Sequence, residues 1–313
     1  MLRVIRDVNS LALRTKPASS KLALAIGNFD GLHRGHQAVI ARMKAHAKAQ
    51  GLRPALMTFE PHPRCYFKPD APCDRLLTLS DKLAMAEMMG IEQAYVLRFN
   101  PALATMTADN FIANILVQSL QVRHVVTGAD FVFGYKRGGN SAMLAAQSEH
   151  FTYDAVTPMG EGIRKFSSSD VRAALREGDM ERVASILGRT YHWTRQVIHG
   201  RAKGRELGFP TANMLPPPVL VPRFGVYAVW CSMEGMNKRM AGVANLGTRP
   251  TIDGTHTRLE VHLLDRKIDL YDARLCVEFA AFIRPEQRFA GVDALIQQIT
   301  KDCQTAKAIL QPA

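Results

Sequence analysis

Apolar segments of strand length alternate with segments of helical periodicity through the first half of the chain. The strand candidates are residues 21–27, 53–59, 94–99 and 123–128, and helical patterns at 36–51 and 107–120 lie between them. Gly51 and Thr107 are suitable caps for these two helices. Parallel strands need such crossover helices, so the alternation predicts a parallel sheet covered by helices, with ligands outside the carboxyl ends of its strands.

From about Tyr191 the pattern changes to short β-prone segments separated by Gly, Pro, Asn and Asp. These segments are residues 225–233, 239–247, 258–265 and 273–282. They are typical of a small antiparallel barrel or sandwich, and the tail from Gly291 has helical spacing. A chain of 313 residues is long enough for two domains. We place the boundary near residues 187–191, at the end of the helical connector 168–188, and predict domains at 1–186 and 187–313.

Composition excludes several classes of protein. The five cysteines, Cys65, Cys73, Cys231, Cys276 and Cys303, show no C-x-x-C spacing, which predicts reduced thiols without a disulfide framework or a zinc site. No apolar run is long enough to span a bilayer, and no signal peptide is recognisable, so we expect a cytoplasmic protein without a membrane partner.

Positive charge is spread evenly along the chain. The net charge is +12; the part through residue 184 has 23 Lys and Arg against 17 Asp and Glu, and the remainder has 17 against 11. Each part therefore carries an excess of six. No basic stripe interleaved with aromatic residues stands out, which is evidence against a specific nucleic-acid partner. An enzyme that handles phosphorylated substrates in both halves would have the same balance.

The stretch AIGNFDGLHRGHQAVI, residues 25–40, places two glycines and two histidines where a strand meets a helix. Gly27 and Gly31 permit close backbone approach, and the helix predicted near Gly35 offers free N–H groups to a phosphate. His33 and His36 can each donate an N–H, and a protonated imidazole adds charge. The alternative is a capped turn with two surface histidines. Neither a P-loop nor a G-x-G-x-x-G motif after a strand is present.

A second candidate site lies in GRAKGRELGFPTANM, residues 200–214. The glycine-rich basic part can cradle phosphates with backbone N–H groups, and Pro210 makes the following turn rigid. Thr211 and Asn213 offer oxygen ligands to Mg²⁺. An ordinary hairpin loop with turn residues remains the alternative.

The motifs together resemble one family. GNFDGLHRGH at 27–36 resembles the His-x-Gly-His signature of nucleotidyltransferases, and more closely the first module of bacterial bifunctional riboflavin kinase/FMN adenylyltransferases, or FAD synthetases. FEPHP at 59–63, TGADFVFGYKRGGN at 127–140 and SSSDVR at 167–172 follow in the family's order. GRELGFPTAN at 204–213, FGVYAV at 224–229, GVANLGTRPT at 242–251 and LEVHLLD at 259–265 resemble its kinase module.

The resemblance implies a Rossmann-like α/β nucleotidyltransferase domain followed by a small antiparallel β-barrel kinase domain with a C-terminal helix. It implies that riboflavin is phosphorylated to FMN by ATP, and that ATP then transfers an adenylyl group to FMN, which yields FAD and pyrophosphate. Riboflavin, FMN and ATP would be the partners and Mg²⁺ the cofactor. The oligomeric state stays open.

The resemblance also assigns residues to roles. The implied catalytic residues are His33, His36, Arg172 and Glu260, with Glu260 as the general base for the riboflavin hydroxyl. The implied ATP- and flavin-binding residues of the adenylyltransferase are Gly27, Asn28, Phe29, Asp30, Gly31, His62, Asp130, Phe131, Ser167, Ser168 and Ser169. Those of the kinase are Gly200, Lys203, Gly204, Arg205, Gly208, Pro210 and Asn245, and Thr211 and Asn213 are the implied metal ligands.

Two residues depart from the family pattern. Arg195 and Asp272 stand where the family usually has glycine, and the loss of a glycine can reshape a turn. An FMN adenylyltransferase with an inactive kinase barrel therefore remains an alternative. A different small-molecule nucleotidyltransferase is a second alternative, against which the kinase-like second half argues.

Overall fold

A computed structural model of the chain describes residues 1–6, 21–161, 164–199, 203–234, 236, 238–251, 254–266, 268 and 270–311. Contacts divide the chain into two compact units, Met1–Ser168 and Ser169–Ala313. Among the described helices, none combines the length and the apolar character needed to cross a membrane.

The first unit contains the predicted parallel sheet. Its six strands have the order β1-β4-β3-β2-β5-β8, and every pair is parallel. All five residues of β2 are buried, because apolar clusters cover both faces of the sheet. The strands are β1 Arg3–Ile5, β2 Leu22–Ile26, β3 Arg53–Glu60, β4 Gln93–Arg98, β5 His124–Gly128 and β8 Thr152–Val156, with the short pairs β6 Val132–Phe133 and β7 Gly139–Asn140, and β9 Gly160–Glu161 and β10 Arg164–Lys165.

The helices of this unit follow the predicted pattern. The first ends at Gly51 in the left-handed conformation (φ 62°), and Thr107 accepts a hydrogen bond from the Asn110 amide, as a cap does. Both caps predicted from the sequence are thus confirmed. The helices are α1 Arg34–Gln50, α2 Pro63–Tyr66, α3 Leu79–Met88, α4 Pro101–Ala104, α5 Ala108–Asn110, which continues as a π-helix over Phe111–Ser119, a 3₁₀ turn at Tyr135–Arg137, and α6 Ser141–Ala145.

The cysteine prediction was wrong for one pair. Cys65 and Cys73 form a disulfide with a Cα–Cα distance of 5.1 Å, while Cys231, Cys276 and Cys303 carry free thiols as expected. The segment between the two paired cysteines folds back on itself, through backbone hydrogen bonds such as that from the Ala71 amide to the Lys68 carbonyl at 3.2 Å. Spacing rules alone do not reveal such a local return of the chain.

The second unit is the antiparallel barrel expected from the sequence. Its strands have the order β11-β16-β13-β14-β15-β12, and a bridge between Ile198, just after β11, and Asn213 in β12 connects the two ends of that order. The strands are β11 Tyr191–Gln196, β12 Ala212–Met214, β13 Gly225–Met233, β14 Met240–Thr251, β15 Gly254–Leu263 and β16 Arg274–Arg284.

Among the described residues, four helices accompany this barrel. The predicted connector is two helices, because Gly178 (φ 78°) interrupts it in a left-handed turn. The C-terminal helix packs through Cys303, Ala306 and Leu310 on an apolar cluster that includes Val226 and Val243 of the barrel. The helices are α7 Ser168–Glu177, α8 Met180–Leu187, α9 Lys203–Glu206 and α10 Val292–Ile309.

Candidate functional sites

The glycine-histidine stretch lies at the point where the order of the parallel sheet reverses. From β2 the chain continues to β3 and β4 on one side, whereas β5 and β8 lie on the other side. In open α/β sheets the crevice at such a reversal, beyond the carboxyl ends of the strands, is where ligands bind. The turn after β2 and the turn after β5 both border this crevice, so the fold brings 27–31 and 128–134 together.

The turn after β2 has an unusual backbone. Phe29, Gly31 and Leu32 have φ values of 49°, 83° and 45°. Positive φ is costly for residues with side chains and persists only where the surroundings impose it. Here the side chains of Phe29 and Leu32 are 1% and 0% exposed and pack in the core, which holds the turn in place. At Gly27 a Cβ would lie 3.3 Å from the Phe29 ring.

Asp30 anchors this turn through hydrogen bonds of its side chain and its carbonyl. The Asp30 Oδ1 accepts from the amides of Leu76 at 2.8 Å and Leu77 at 3.3 Å, and the Asp30 carbonyl accepts from Ser168 Oγ at 2.8 Å. The carboxylate is therefore engaged in holding the 76–77 loop. The sequence predicted Asp30 to be a ligand-binding residue. In the structure its carboxylate binds backbone amides of the protein.

Sequence reasoning missed Lys82, which is 3% exposed on α3. Its ammonium donates to the Asn28 carbonyl at 2.8 Å and to Thr58 Oγ1 at 3.1 Å. Burial lowers the pKa of Lys82, and the carboxylates of Asp30 and Glu60 act in the opposite direction. A lysine on an amphipathic helix carries no sequence signal that distinguishes a buried ammonium from an exposed one.

His33 and His36 form a stacked pair at the start of α1. His33 is the N-cap, its Nδ1 accepts from the His36 amide, and the ring centroids are 3.7 Å apart. Burial, followed by the charges of His33 and Lys82, holds the pKa of His36 well below its usual range. A neutral His36 offers a hydrogen bond rather than the positive charge that we expected of a protonated ring. Its buried Nδ1 has no hydrogen-bond partner among the described residues.

The remaining adenylyltransferase candidates have diverse surroundings. His62 caps α2 by accepting the Arg64 amide at 3.1 Å. Asp130 pairs with Lys165 at 2.8 Å, and this hydrogen bond lowers the pKa of the Asp130 carboxyl, with a smaller contribution from His33. Phe131 stacks on Phe133, with ring centroids 5.5 Å apart.

The serine-rich motif extends over the boundary between the two compact units. Ser167 and Ser168 belong to the first unit, whereas Ser169 and Arg172 belong to the second. Arg172 is 5% exposed on α7. Ser168 Oγ donates to the Asp30 carbonyl of the glycine-histidine turn at 2.8 Å.

The barrel assembles the kinase candidates in one row. Asn213 of β12 and Asn245 of β14 are both direct cross-strand partners of Glu260 on β15. Cross-strand partners project to the same face of a sheet, so the carboxylate lies between two amides. Leu259 and Val261, the neighbours of Glu260 in sequence, are both 1% exposed and point to the opposite, apolar face.

The segment before β12 packs beside this row. The Asn213 Nδ2 donates to the Thr211 carbonyl at 3.3 Å, so Oδ1 is the ligand atom that Asn213 can offer. His262, two residues after Glu260, donates from Nδ1 to the Pro210 carbonyl at 2.9 Å. The sequence analysis did not identify His262, although its spacing of two residues from Glu260 on a strand places both side chains on the same face of β15.

Glycines shape the loop that leads to Thr211. At Gly204 a Cβ would lie 2.4 Å from the Phe209 carbonyl oxygen, so a side chain does not fit without movement of the loop. Gly208 has φ 85°, in the left-handed region. Lys203 and Arg205 lie on α9, and Gly200 lies outside the described residues.

The two departures from the family pattern have different surroundings. Arg195 is the fifth of the six residues of β11, opposite Leu275 of β16. Asp272 has φ 61°, in the region that glycine adopts freely and that aspartate tolerates better than most residues. The turn conformation that glycine permits is therefore present with aspartate in its place.

The turn after β2 lies at the switch point of a parallel sheet, where phosphates bind in such folds. The barrel that follows carries a row of amide and carboxylate groups. Together they define a two-module enzyme that transfers phosphorus-containing groups. The FAD synthetase family model matches residues 15–170, and the riboflavin kinase model matches residues 187–310. The bifunctional riboflavin kinase/FMN adenylyltransferase of Pseudomonas fluorescens is 38% identical over 315 residues, which cover 100% of this chain and 99% of that protein. The chain belongs to this family of bifunctional enzymes.

A second curated relative carries the same description, and one solved structure shares the fold over nearly the whole chain. The bifunctional riboflavin kinase/FMN adenylyltransferase of Escherichia coli strain K12 is 37% identical over 308 residues, which cover 98% of this chain and 97% of that protein. A crystal structure titled as a macrolide-efflux protein from Streptococcus pneumoniae matches with a TM-score of 0.85 and 26% identity, over 97% of this chain and 98% of that one.

Proposed function

We propose that this chain performs the two reactions of its family at two separate sites: phosphorylation of riboflavin in the barrel and adenylyl transfer to FMN at the parallel sheet. The observation that carries the proposal is that each matched region has its own assembled site, His33 with His36 in one and Glu260 with Asn213 in the other. We retain 186/187 as the proposed domain boundary.

In adenylyl transfer, a phosphate oxygen of FMN attacks the α-phosphorus of ATP, and pyrophosphate leaves. No covalent enzyme intermediate is required, so catalysis consists of positioning and stabilisation of developing charge. The free N–H groups at the start of α1 and the imidazole N–H groups of His33 and His36 would bind the ATP phosphates. His36 would contribute mainly a hydrogen bond, because its lowered pKa keeps the ring neutral in the free enzyme.

The other adenylyltransferase residues divide into two groups by their contacts. Asp30 would hold the turn in shape, since its carboxylate accepts hydrogen bonds from the backbone amides of Leu76 and Leu77. Asp130 and Phe131 would border the nucleotide or flavin beyond β5. The phosphate-binding roles of Ser167, Ser168, Ser169 and Arg172, and the ligand-binding role of His62, stay predictions.

In the kinase reaction, Glu260 would accept the proton of the riboflavin 5′-hydroxyl as a general base. The hydroxyl of Thr211 and the amide oxygen of Asn213 are oxygen donors, the kind of ligand that Mg²⁺ prefers. These residues therefore fit the expected cofactor. Bound Mg²⁺ would neutralise charge on the ATP phosphates, while Asn245 and the glycine loop at 204–208 position the substrates.

Two variants test the separation of the sites. We expect Glu260→Gln to lower FMN formation from riboflavin by roughly 10²–10⁴-fold, the usual contribution of a general base, while FAD formation from supplied FMN is unchanged. We expect His36→Ala to lower FAD formation from supplied FMN sharply, while FMN formation from riboflavin is unchanged.

Glu234→Gln and His150→Ala, at an exposed glutamate and an exposed histidine, are matched controls. FMN formation at the parental rate by the Glu260 variant would remove that residue from the role of base. If the parent makes FAD only when FMN is supplied, the kinase barrel is inactive and the alternative is correct. The cytoplasmic location stays a prediction.

A further inference from the structure

Lys82 places a buried ammonium against the turn after β2. The side chain extends from α3, is 3% exposed, and donates to the Asn28 carbonyl at 2.8 Å and to Thr58 Oγ1 at 3.1 Å. Both acceptors are uncharged oxygens. Burial of an ammonium is costly, and an apolar side chain of similar volume is often at least as stable in such a position. The stability of the fold alone therefore does not account for a lysine here.

The Asn28 carbonyl is held from two directions. Thr58 Oγ1 also donates to this oxygen, at 3.1 Å, so the ammonium, the hydroxyl and the carbonyl form a closed triangle of hydrogen bonds. A carbonyl oxygen has two lone pairs and can accept both bonds. Thr58 is fully buried in β3, which makes it a rigid support. The triangle thus fixes the direction of the peptide unit that joins Asn28 to Phe29.

The direction of this carbonyl also determines where the Phe29 amide points. In a planar trans peptide the N–H is directed opposite to the C=O. The carbonyl points toward Thr58 of β3, and β3 and β5 flank β2 on opposite sides. The Phe29 N–H is therefore directed away from β3, toward the side on which the crevice of the switch point opens.

The Phe29 amide is an available donor. Among the described residues it has no acceptor, although Phe29 is 1% exposed. Buried backbone N–H groups are nearly always paired, so an unpaired one beside a ligand crevice suits an acceptor that arrives with the ligand. Phosphate oxygens of ATP are such acceptors. A donor fixed before the reaction stabilises charge as it develops, without the cost of turning the peptide at that moment.

We propose that Lys82 is a positioning residue for adenylyl transfer, whose ammonium holds the Asn28–Phe29 peptide so that the Phe29 amide faces the ATP phosphates. Lys82 contacts the peptide and not the substrate. The inference rests on the proposed adenylyl transfer at the parallel sheet. A purely structural lysine would affect activity only through stability, whereas a positioning lysine affects turnover in a protein that stays folded.

The variant Lys82→Met separates these two roles in the full-length protein. Methionine keeps most of the apolar stem and removes the ammonium, and Thr58 still satisfies the Asn28 carbonyl. We expect kcat for FAD formation from supplied FMN and ATP to fall by roughly 10–100-fold, with KM for ATP changed by less than about threefold. The urea midpoint of the first unit in circular dichroism should stay the same or rise. FMN formation from riboflavin should be unchanged.

Lys44→Met is the matched control. Lys44 of α1 also donates from its ammonium to a backbone carbonyl, that of Met89 at the end of α3, outside the turn after β2. This variant should keep the parental kcat for FAD formation.

Two results would each overturn the role of Lys82. One is a parental kcat in Lys82→Met while His36→Ala loses FAD formation, which would leave the proposed site in place without this lysine. The other is a loss of activity that is matched by a lowered urea midpoint, which would make Lys82 structural. A parent that forms no FAD from FMN and ATP would overturn the proposed function itself, and this inference with it.

Discussion

Replacement of Asp30 tests whether this carboxylate anchors the phosphate-binding turn or binds a ligand. In Asp30→Ala, two buried amides lose their acceptor. An unsatisfied buried donor costs about 1–3 kcal/mol, and the Leu77 bond at 3.3 Å is weaker than the Leu76 bond at 2.8 Å. We therefore expect a loss of about 2–4 kcal/mol in the free energy of unfolding of the first unit. Asp30→Asn keeps an acceptor without the charge and should cost about 1–2 kcal/mol.

Urea unfolding can assign this loss to one unit, because Trp193 and Trp230, the two tryptophans of the chain, both belong to the second unit. With a slope of about 2 kcal/mol per molar urea, the alanine variant should shift the first transition in circular dichroism by about 1–2 M. The tryptophan fluorescence transition should not move. Asp70→Asn, at an exposed position of the 67–75 segment, is the control.

Refutation of the anchoring role requires two results together. The alanine variant would unfold at the parental urea concentration, and it would still lose FAD formation at low temperature. Those results would make Asp30 a ligand-binding residue. An anchoring role predicts instead that the loss of activity and the loss of stability rise in parallel from Asn to Ala.

Three further predictions follow from the backbone and from one pKa. Asp272→Gly should leave barrel stability within about 0.5 kcal/mol of the parent, whereas Asp272→Val should lose about 1–2 kcal/mol, because a β-branched side chain resists φ 61°; tryptophan fluorescence in urea measures both. Gly204→Ala should lower FMN formation about tenfold or more, since its Cβ would lie 2.4 Å from the Phe209 carbonyl, and Gly291→Ala, with nothing within 4 Å, should have no effect. Because the pKa of His36 is lowered in the folded state, the unfolded chain binds more protons below about pH 6.5. Stability should therefore fall as the pH drops through that range, and less steeply in His36→Gln; equal slopes in pH-dependent unfolding would contradict the lowered pKa.

Local patterns in the sequence were sufficient to predict four of the six strands of the parallel sheet and the antiparallel second unit, but not β1 and β8. The alternation of strands and helices, the caps at Gly51 and Thr107, and the change to short β segments after Tyr191 all depend on neighbours within a few residues. Periodicity and capping are local properties, so they can be read from the chain directly. The motifs likewise identified the two candidate sites, because their glycines, histidines and Thr-Ala-Asn lie close together in the sequence.

Only the tertiary structure decided which distant groups meet. Strand register places Asn213, Asn245 and Glu260 in one row, and a shift of one residue would turn each side chain to the opposite face. The burial of Lys82 and the stacking of His46 of α1 on His124 of β5 depend on how helices pack against the sheet. Periodicity specifies which face of an element is apolar, but it does not specify which residues of another element lie opposite that face. That choice is made by packing and register, which involve the whole domain at once.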